Sequence, residues 1–142
     1  MRLLLPIDGS PCSQRAVEYV IANRLRFDAG ADLELHLANV QSPVTGDVGH
    51  FIGGAQLADY HREESEKALA SAQRALDASG LRYAVHTTTG HPAEELVRLG
   101  ERLECDQIVM GTHGRGAFAE LLVGSTTLRV SHHTKIPILL IK

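Results

Sequence analysis

The sequence predicts an α/β fold: one doubly wound, five-stranded parallel sheet of order 3-2-1-4-5, a Rossmann-like or flavodoxin-like three-layer sandwich. Three observations point there. Short apolar runs alternate with segments of helical periodicity along the whole chain, the pattern of a parallel sheet covered by helices. Right-handed crossovers then restrict the topology. At 142 residues with 44% hydrophobic composition, the chain can bury a core without disulfide staples. Residues 1–142 are therefore read as a single domain.

The elements follow in order. Arg2 to Ile7 is a short apolar run and a buried strand. Ser10-Pro11 supplies an N-cap and a proline at the first helical position, where its missing N–H costs nothing. Ala16, Val17, Val20, Ile21 and Leu25 then recur at helical spacing, with Gly30 as the stop. Leu33 to Val40 is the second strand, and 41–54 a polar, glycine-rich surface loop. A charged helix spans Gln56 to Ser79, with Leu57, Ala68, Leu69, Ala72, Ala75 and Leu76 as its apolar side and Gly80 as its end. Leu81 to Thr88 alternates enough to be an edge strand. His91-Pro92 opens a helix with Glu94 and Glu95 in its first turn, where acids suit the dipole. Asp106 to Gly111 is the fourth strand, and Ile136 to Ile141, after a last helix, the fifth. Pro6 cannot donate to a ladder, so it belongs at a strand end or a bulge.

Composition excludes several functions. A net charge of −3 argues against electrostatic capture of nucleic acid or anionic membrane. Six aromatics that do not alternate with Lys or Arg make no base-stacking platform. No apolar run is long enough to cross a bilayer, and an Arg followed almost at once by Asp8 does not read as a secretory signal. Cys12 and Cys105 lack metal-ligand spacing and read as reduced thiols of a cytoplasmic protein; Cys12 near a helix N-terminus is the more reactive candidate. His132 and His133 are adjacent and so diverge on a helix; together with His113 they make no metal site. Ser10 has no nucleophile elbow around it.

In the predicted order, strands 1 and 4 flank the switch point, where such sheets bind ligands. Two motifs meet there: Asp8-Gly9-Ser10, and Gly111-x-x-Gly114 followed after nine residues by Gly124-Ser125. Glycines at strand ends let the backbone turn and a ligand approach. Ser125 is expected to cap the last helix, whose free N–H groups suit phosphate, with Thr126 and Thr127 adding hydroxyls. The stretch is neither a Walker A loop nor a GxGxxG after strand 1. Asp8 stands between three roles: a ribose or adenine contact, a phosphate-bound divalent ion, or a helix cap. Arg115 reaches a phosphate or is a solvated loop residue.

"LPIDGS" together with "GTHGRGAFAELLVGSTTLRVSHHTKIPILLIK" resembles the universal stress protein family, and element order extends the resemblance over the whole chain. It implies a small nucleotide-binding α/β domain, often homodimeric, of the subgroup that binds ATP through G-x-x-G-x9-G-S. Carried over residue by residue, Pro6, Ile7 and Asp8 line the adenosine side, and Val40 offers backbone contacts to adenine. Met110, Gly111, Thr112 and Gly114 flank ribose and phosphates; Gly124, Ser125 and Thr126 close on the phosphates. Thr112 replaces a frequent Ser, and Gly116-Ala117 alters the start of the spacer.

The expected function is an ATP-dependent stress-response binding module, with ATP or another adenine nucleotide and Mg as ligands. Its alternatives are a slow ATPase or phosphotransferase using Asp8 or His113, and an interaction protein with a vestigial site. The partners expected are the nucleotide, an unknown protein, and a second copy paired through the edge strand Ile136 to Ile141, which would cover its backbone groups. No nucleic acid or membrane is expected among them.

Overall fold

The structure, a computed structural model, describes residues 1–27, 32–43, 54–114 and 123–142. Five parallel strands, β1 (Arg2–Pro6), β2 (Glu34–Gln41), β3 (Tyr83–Thr89), β4 (Gln107–Gly111) and β5 (Ile138–Ile141), form a sheet of order β3-β2-β1-β4-β5. The expected order and three-layer architecture are therefore observed. Among the described residues the helices are α1 (Pro11–Ala22), α2 (Arg24–Phe27), α3 (Gly54–Ser79), α4 (Pro92–Arg102) and α5 (Ser125–His133).

Leu3, Leu4 and Leu5 in β1 have no exposed surface, because a central parallel strand is covered on both faces. Alternation splits the core in two. Leu3, Leu5, Leu35, Leu37 and Val109 pack with Val17 and Val20 of α1 and with Leu69, Ala72 and Leu76 of α3. Leu4, Ala38, Ile108 and Met110 pack on the other face with Leu96, Val97 and Leu99 of α4 and Val130 of α5. In register, Pro6 pairs with Ala38 and closes β1, so the missing donor lies at a strand end as expected.

Local signals hold at most element ends. The Ser10 side chain accepts from the Ser13 amide, with Pro11 in the first turn. Gly80 ends α3 with φ of 71°, a conformation that suits glycine. β3 is an edge strand, paired only to β2.

Three expectations need correction. Leu25 is not on the apolar face: α1 stops at Ala22 with Asn23 as its C-cap, a separate short α2 follows, and Leu25 is left 82% exposed. Ser125 is not the cap of the last helix; Gly124 is, with extended φ/ψ of −70° and 155°, and Ser125 is the first helical residue. β5 begins at Ile138 rather than Ile136, since Pro137 just before it has no N–H to donate. Gly30, Arg115, Gly116, Ala117, Phe118 and most of the 41–54 loop lie outside the described residues.

Candidate functional site

β1 and β4 are neighbours whose following helices pack on opposite faces, so a crevice opens beyond their carboxyl ends. A cavity of about 330 Å³ lies there, within the range of small-molecule sites. Pro6, Ile7 and Asp8 enter it from β1, Val40 from β2, and Met110, Gly111, His113 and Gly114 from β4. The first turn of α5 closes one side with Gly124, Ser125, Thr126 and Thr127.

The β1 side is held by short-range bonds. Gly9, at φ of 79°, turns the chain between strand and helix. One carboxylate oxygen of Asp8 accepts from the Ser10 amide at 2.9 Å, while Ser10 itself caps α1. Asp8 thus braces the turn ahead of the helix, and the capping role belongs to Ser10.

The β4 side is built by close approach. A Cβ on Gly111 would stand 2.7 Å from both the carbonyl carbon and the Cβ of Cys12, so β4 meets the start of α1 with no room for a side chain. A Cβ on Gly114 would stand 2.7 Å from the second oxygen of Asp8. The two motifs, over a hundred residues apart in sequence, are therefore in direct contact.

Thr112 sits behind the cavity rather than in it. It is buried at 5% exposure, its amide donates to the Ile141 carbonyl at 2.8 Å, and its carbonyl accepts from the Gly124 amide at 2.7 Å. Its hydroxyl is paired with His113 Nδ1 at 2.8 Å. One residue thereby ties the cavity wall to the end of β5.

The start of α5 is the cavity's anion-binding feature. The ladder begins with Leu128 N donating to Gly124 O at 2.9 Å, so the amides of residues 125–127 precede it, and among the described residues no side chain caps them. Thr127 spends its hydroxyl on the Gly111 carbonyl at 3.1 Å, leaving those of Ser125 and Thr126 along the lining. The dipole of a nine-residue helix adds positive potential there. Opposite, Val40, Pro92, Leu96 and Met110 form an apolar wall suited to a planar ring. Among the described lining residues Asp8 is the only acid, and there is no Lys or Arg.

The structure thus gathers Pro6, Ile7, Asp8, Val40, Met110, Gly111, Gly114, Gly124, Ser125 and Thr126 around one cavity. Thr112 is placed in the wall behind it, and Arg115 is outside the described residues. Ser13, Pro92 and Leu96 also line the cavity and were not anticipated. Their signal was available: each lies in the first turns of a helix that starts at the carboxyl edge of the sheet.

Comparison with known proteins agrees with this fold. The model of the Universal stress protein family matches residues 1–142. The chain belongs to the universal stress protein family. It is similar to the universal stress protein Rv1636 of Mycobacterium tuberculosis, with 30% identity over 94% of this chain and 90% of that one. Among solved structures it resembles MJ0577 of Methanocaldococcus jannaschii at a TM-score of 0.83, with 28% identity over 99% of this chain and 94% of that one. A universal stress protein solved in complex with cAMP shares the fold at a TM-score of 0.71 and 24% identity, covering 100% of this chain and 97% of its own. Among the described residues, no helix of this universal stress protein is long and apolar enough to cross a membrane.

Proposed function

We propose that this universal stress protein is an adenine-nucleotide-binding module in which ATP, with Mg on its phosphates, occupies the cavity between β1 and β4. One observation carries the reading: the uncapped amides at the start of α5 open onto the same cavity as the apolar wall of Val40, Pro92, Leu96 and Met110. Phosphates have donors at one end and a base has a slot at the other. Gly114 leaves the space beside Asp8 free of a side chain, and Ser125 and Thr126 offer hydroxyls to the phosphates. Asp8 is placed to meet a ribose hydroxyl or a divalent ion held by phosphate. A relative by fold that carries cAMP supports the same ligand class at the level of the fold.

The module is proposed to act in the cytoplasm as one domain and as a homodimer joined through β5. Leu140, 40% exposed on a four-residue edge strand, supports such a pairing. A solution mass equal to one chain at micromolar concentration would remove the dimer. Nucleotide occupancy would then govern the recruitment of a protein partner.

A second reading is a slow ATPase, favoured by Asp8 and His113 both lining the cavity. Phosphoryl transfer also needs charge neutralisation, and no described lining residue is a lysine or arginine. Steady-state turnover abolished by Asp8→Ala would promote this reading over the binding module.

The test is calorimetric titration of the nucleotide-stripped protein with MgATP, beside Gly124→Ala and Gly124→Asp. Both variants place a Cβ about as close to the Thr112 carbonyl, 3.3 Å, and Asp is itself a good N-cap. They differ in charge at the phosphate end. The expected result is saturable binding by the wild type and by Gly124→Ala, weakened by at least about tenfold more in Gly124→Asp. No binding by the wild type would end the nucleotide reading and leave the interaction protein.

A further inference from the structure

Asn39 is 2% exposed near the carboxyl end of β2, on the side of the sheet that Leu35 and Leu37 share by alternation. A polar side chain so buried is costly unless every group finds a partner. Both of its polar atoms do. Its Nδ2 donates to the Ile7 carbonyl at 2.7 Å, and its Oδ1 accepts from Gln41 Nε2 at 2.8 Å.

The acceptor it takes is a backbone position of consequence. Ile7 donates its amide to the Ala38 carbonyl at 2.8 Å, which sets the hand of the ladder. In a parallel pair, a residue bonds through its N–H and C=O to two residues of its neighbour, spaced two apart. The Ile7 carbonyl would therefore accept next from the Val40 amide. The Asn39 side chain holds that carbonyl instead. Val40, two residues beyond Ala38, directs its N–H and C=O to the same side as Ala38, toward the end of β1, and it lines the cavity.

We infer that Asn39 is a positioning residue for base recognition: by holding the Ile7 carbonyl it releases the Val40 peptide group to the ring edge of an adenine nucleotide. This deepens the nucleotide reading above and rests on it. Val40 then presents one donor and one acceptor. Adenine offers a ring-nitrogen acceptor beside an amino donor. Guanine presents the opposite pair on that edge, a ring N–H beside a carbonyl. A site that leaves polar groups unpaired against the wrong ligand discriminates strongly.

The test compares wild type with Asn39→Leu and Asn39→His. Leu is similar in size and apolar, so the Ile7 carbonyl recovers the Val40 amide as its ladder partner. His keeps an N–H donor at a comparable reach. MgATP, MgGTP and inorganic tripolyphosphate are each titrated, and urea midpoints are recorded. Losing one ligand hydrogen bond predicts about tenfold weaker ATP binding in Asn39→Leu. The ATP-to-GTP ratio falls toward one, tripolyphosphate binding is unchanged, and Asn39→His restores the ratio. A residue that only stabilises the fold would lower the urea midpoint and leave the ratio alone.

Amide exchange on the wild type needs no variant. The Val40 amide should exchange readily without ligand and be protected by ATP. Protection of Val40 already in the nucleotide-free protein would overturn the inference, as would an Asn39→Leu variant with wild-type ATP affinity and selectivity. Absence of ATP binding by the wild type would overturn the nucleotide reading itself, and this inference with it.

Discussion

Gly111 and Gly114 belong to one motif, yet alanine at each should do different harm. At Gly111 the new Cβ meets three atoms of Cys12, two of them backbone: the carbonyl carbon and Cβ at 2.7 Å and the carbonyl oxygen at 2.9 Å. None can swing away, so the start of α1 must move off β4. Overpacking of this kind costs about 1–3 kcal/mol, and the reduced freedom of the unfolded chain offsets about 0.4–1 of that. Unfolding entropy of about 2.1 cal/mol/K per residue is about 0.3 kcal/mol/K over the chain. A net loss of about 1–2 kcal/mol thus lowers Tm by about 3–7 °C. At Gly114 the Cβ meets one terminal oxygen of Asp8 at 2.7 Å, and that carboxylate can turn. Gly114→Ala should shift Tm by less than about 2 °C and weaken MgATP binding, because Asp8 turns within the cavity. Scanning calorimetry and titration of both variants decide it. A Gly111→Ala protein as stable as wild type, or Gly114→Ala as the less stable of the two, would refute the close-approach account.

Two further outcomes follow from the buried titratable groups. His36 Nδ1 lies 3.1 Å from His86 Nε2 between β2 and β3, and His36 Nε2, buried and 4.0 Å from a Glu34 carboxylate oxygen, has no hydrogen-bond partner among the described residues. Burial, above all, pushes both imidazoles below the ordinary 6.5; the neighbouring His36 and Arg102 act the same way on His86, and Arg2 on His36, against Glu34. The unfolded chain therefore binds protons first as pH falls. This stability is complete above about pH 6.5 and lost as pH drops through that value toward the lower folded ones. Urea midpoints between pH 7.5 and 5 should fall with pH, and His86→Gln should flatten the slope; an equal slope in the variant would exclude the pair as its source. Cys12 is half-buried and Cys105 buried, with burial, and then Asp106, raising the Cys105 thiol. A disulfide reagent at neutral pH should titrate one thiol quickly and the second only on unfolding, and Cys12→Ser should remove the fast phase. Equal rates for both thiols would contradict the packing around Cys105.

Much of the site was legible because its signals are local. Ser10-Pro11 states a helix start through its own capping chemistry, and "LPIDGS" and the spaced glycines lie at strand ends that periodicity locates. The switch point then brings the two stretches together without knowledge of a single contact. Thr112 shows where that reasoning stops. Sitting between two lining residues in a glycine motif, it reads as a ligand contact, but the ladder to β5 turns it into the wall. Gly124 took the capping position from Ser125 because its amide is anchored to the Thr112 carbonyl, a bond no local propensity records.

The sequence by itself determined the alternation of strands and helices, their doubly wound order and the crevice between β1 and β4. Those depend on residue period and on steric rules that act over a few neighbours. Only the tertiary structure decided why Gly111 admits no side chain, why Thr112 faces inward, and that Asn39 holds the Ile7 carbonyl. Each is a contact between residues about 10 to 100 positions apart, so it exists only once sheet register has set which backbone atoms come within about 3 Å of one another.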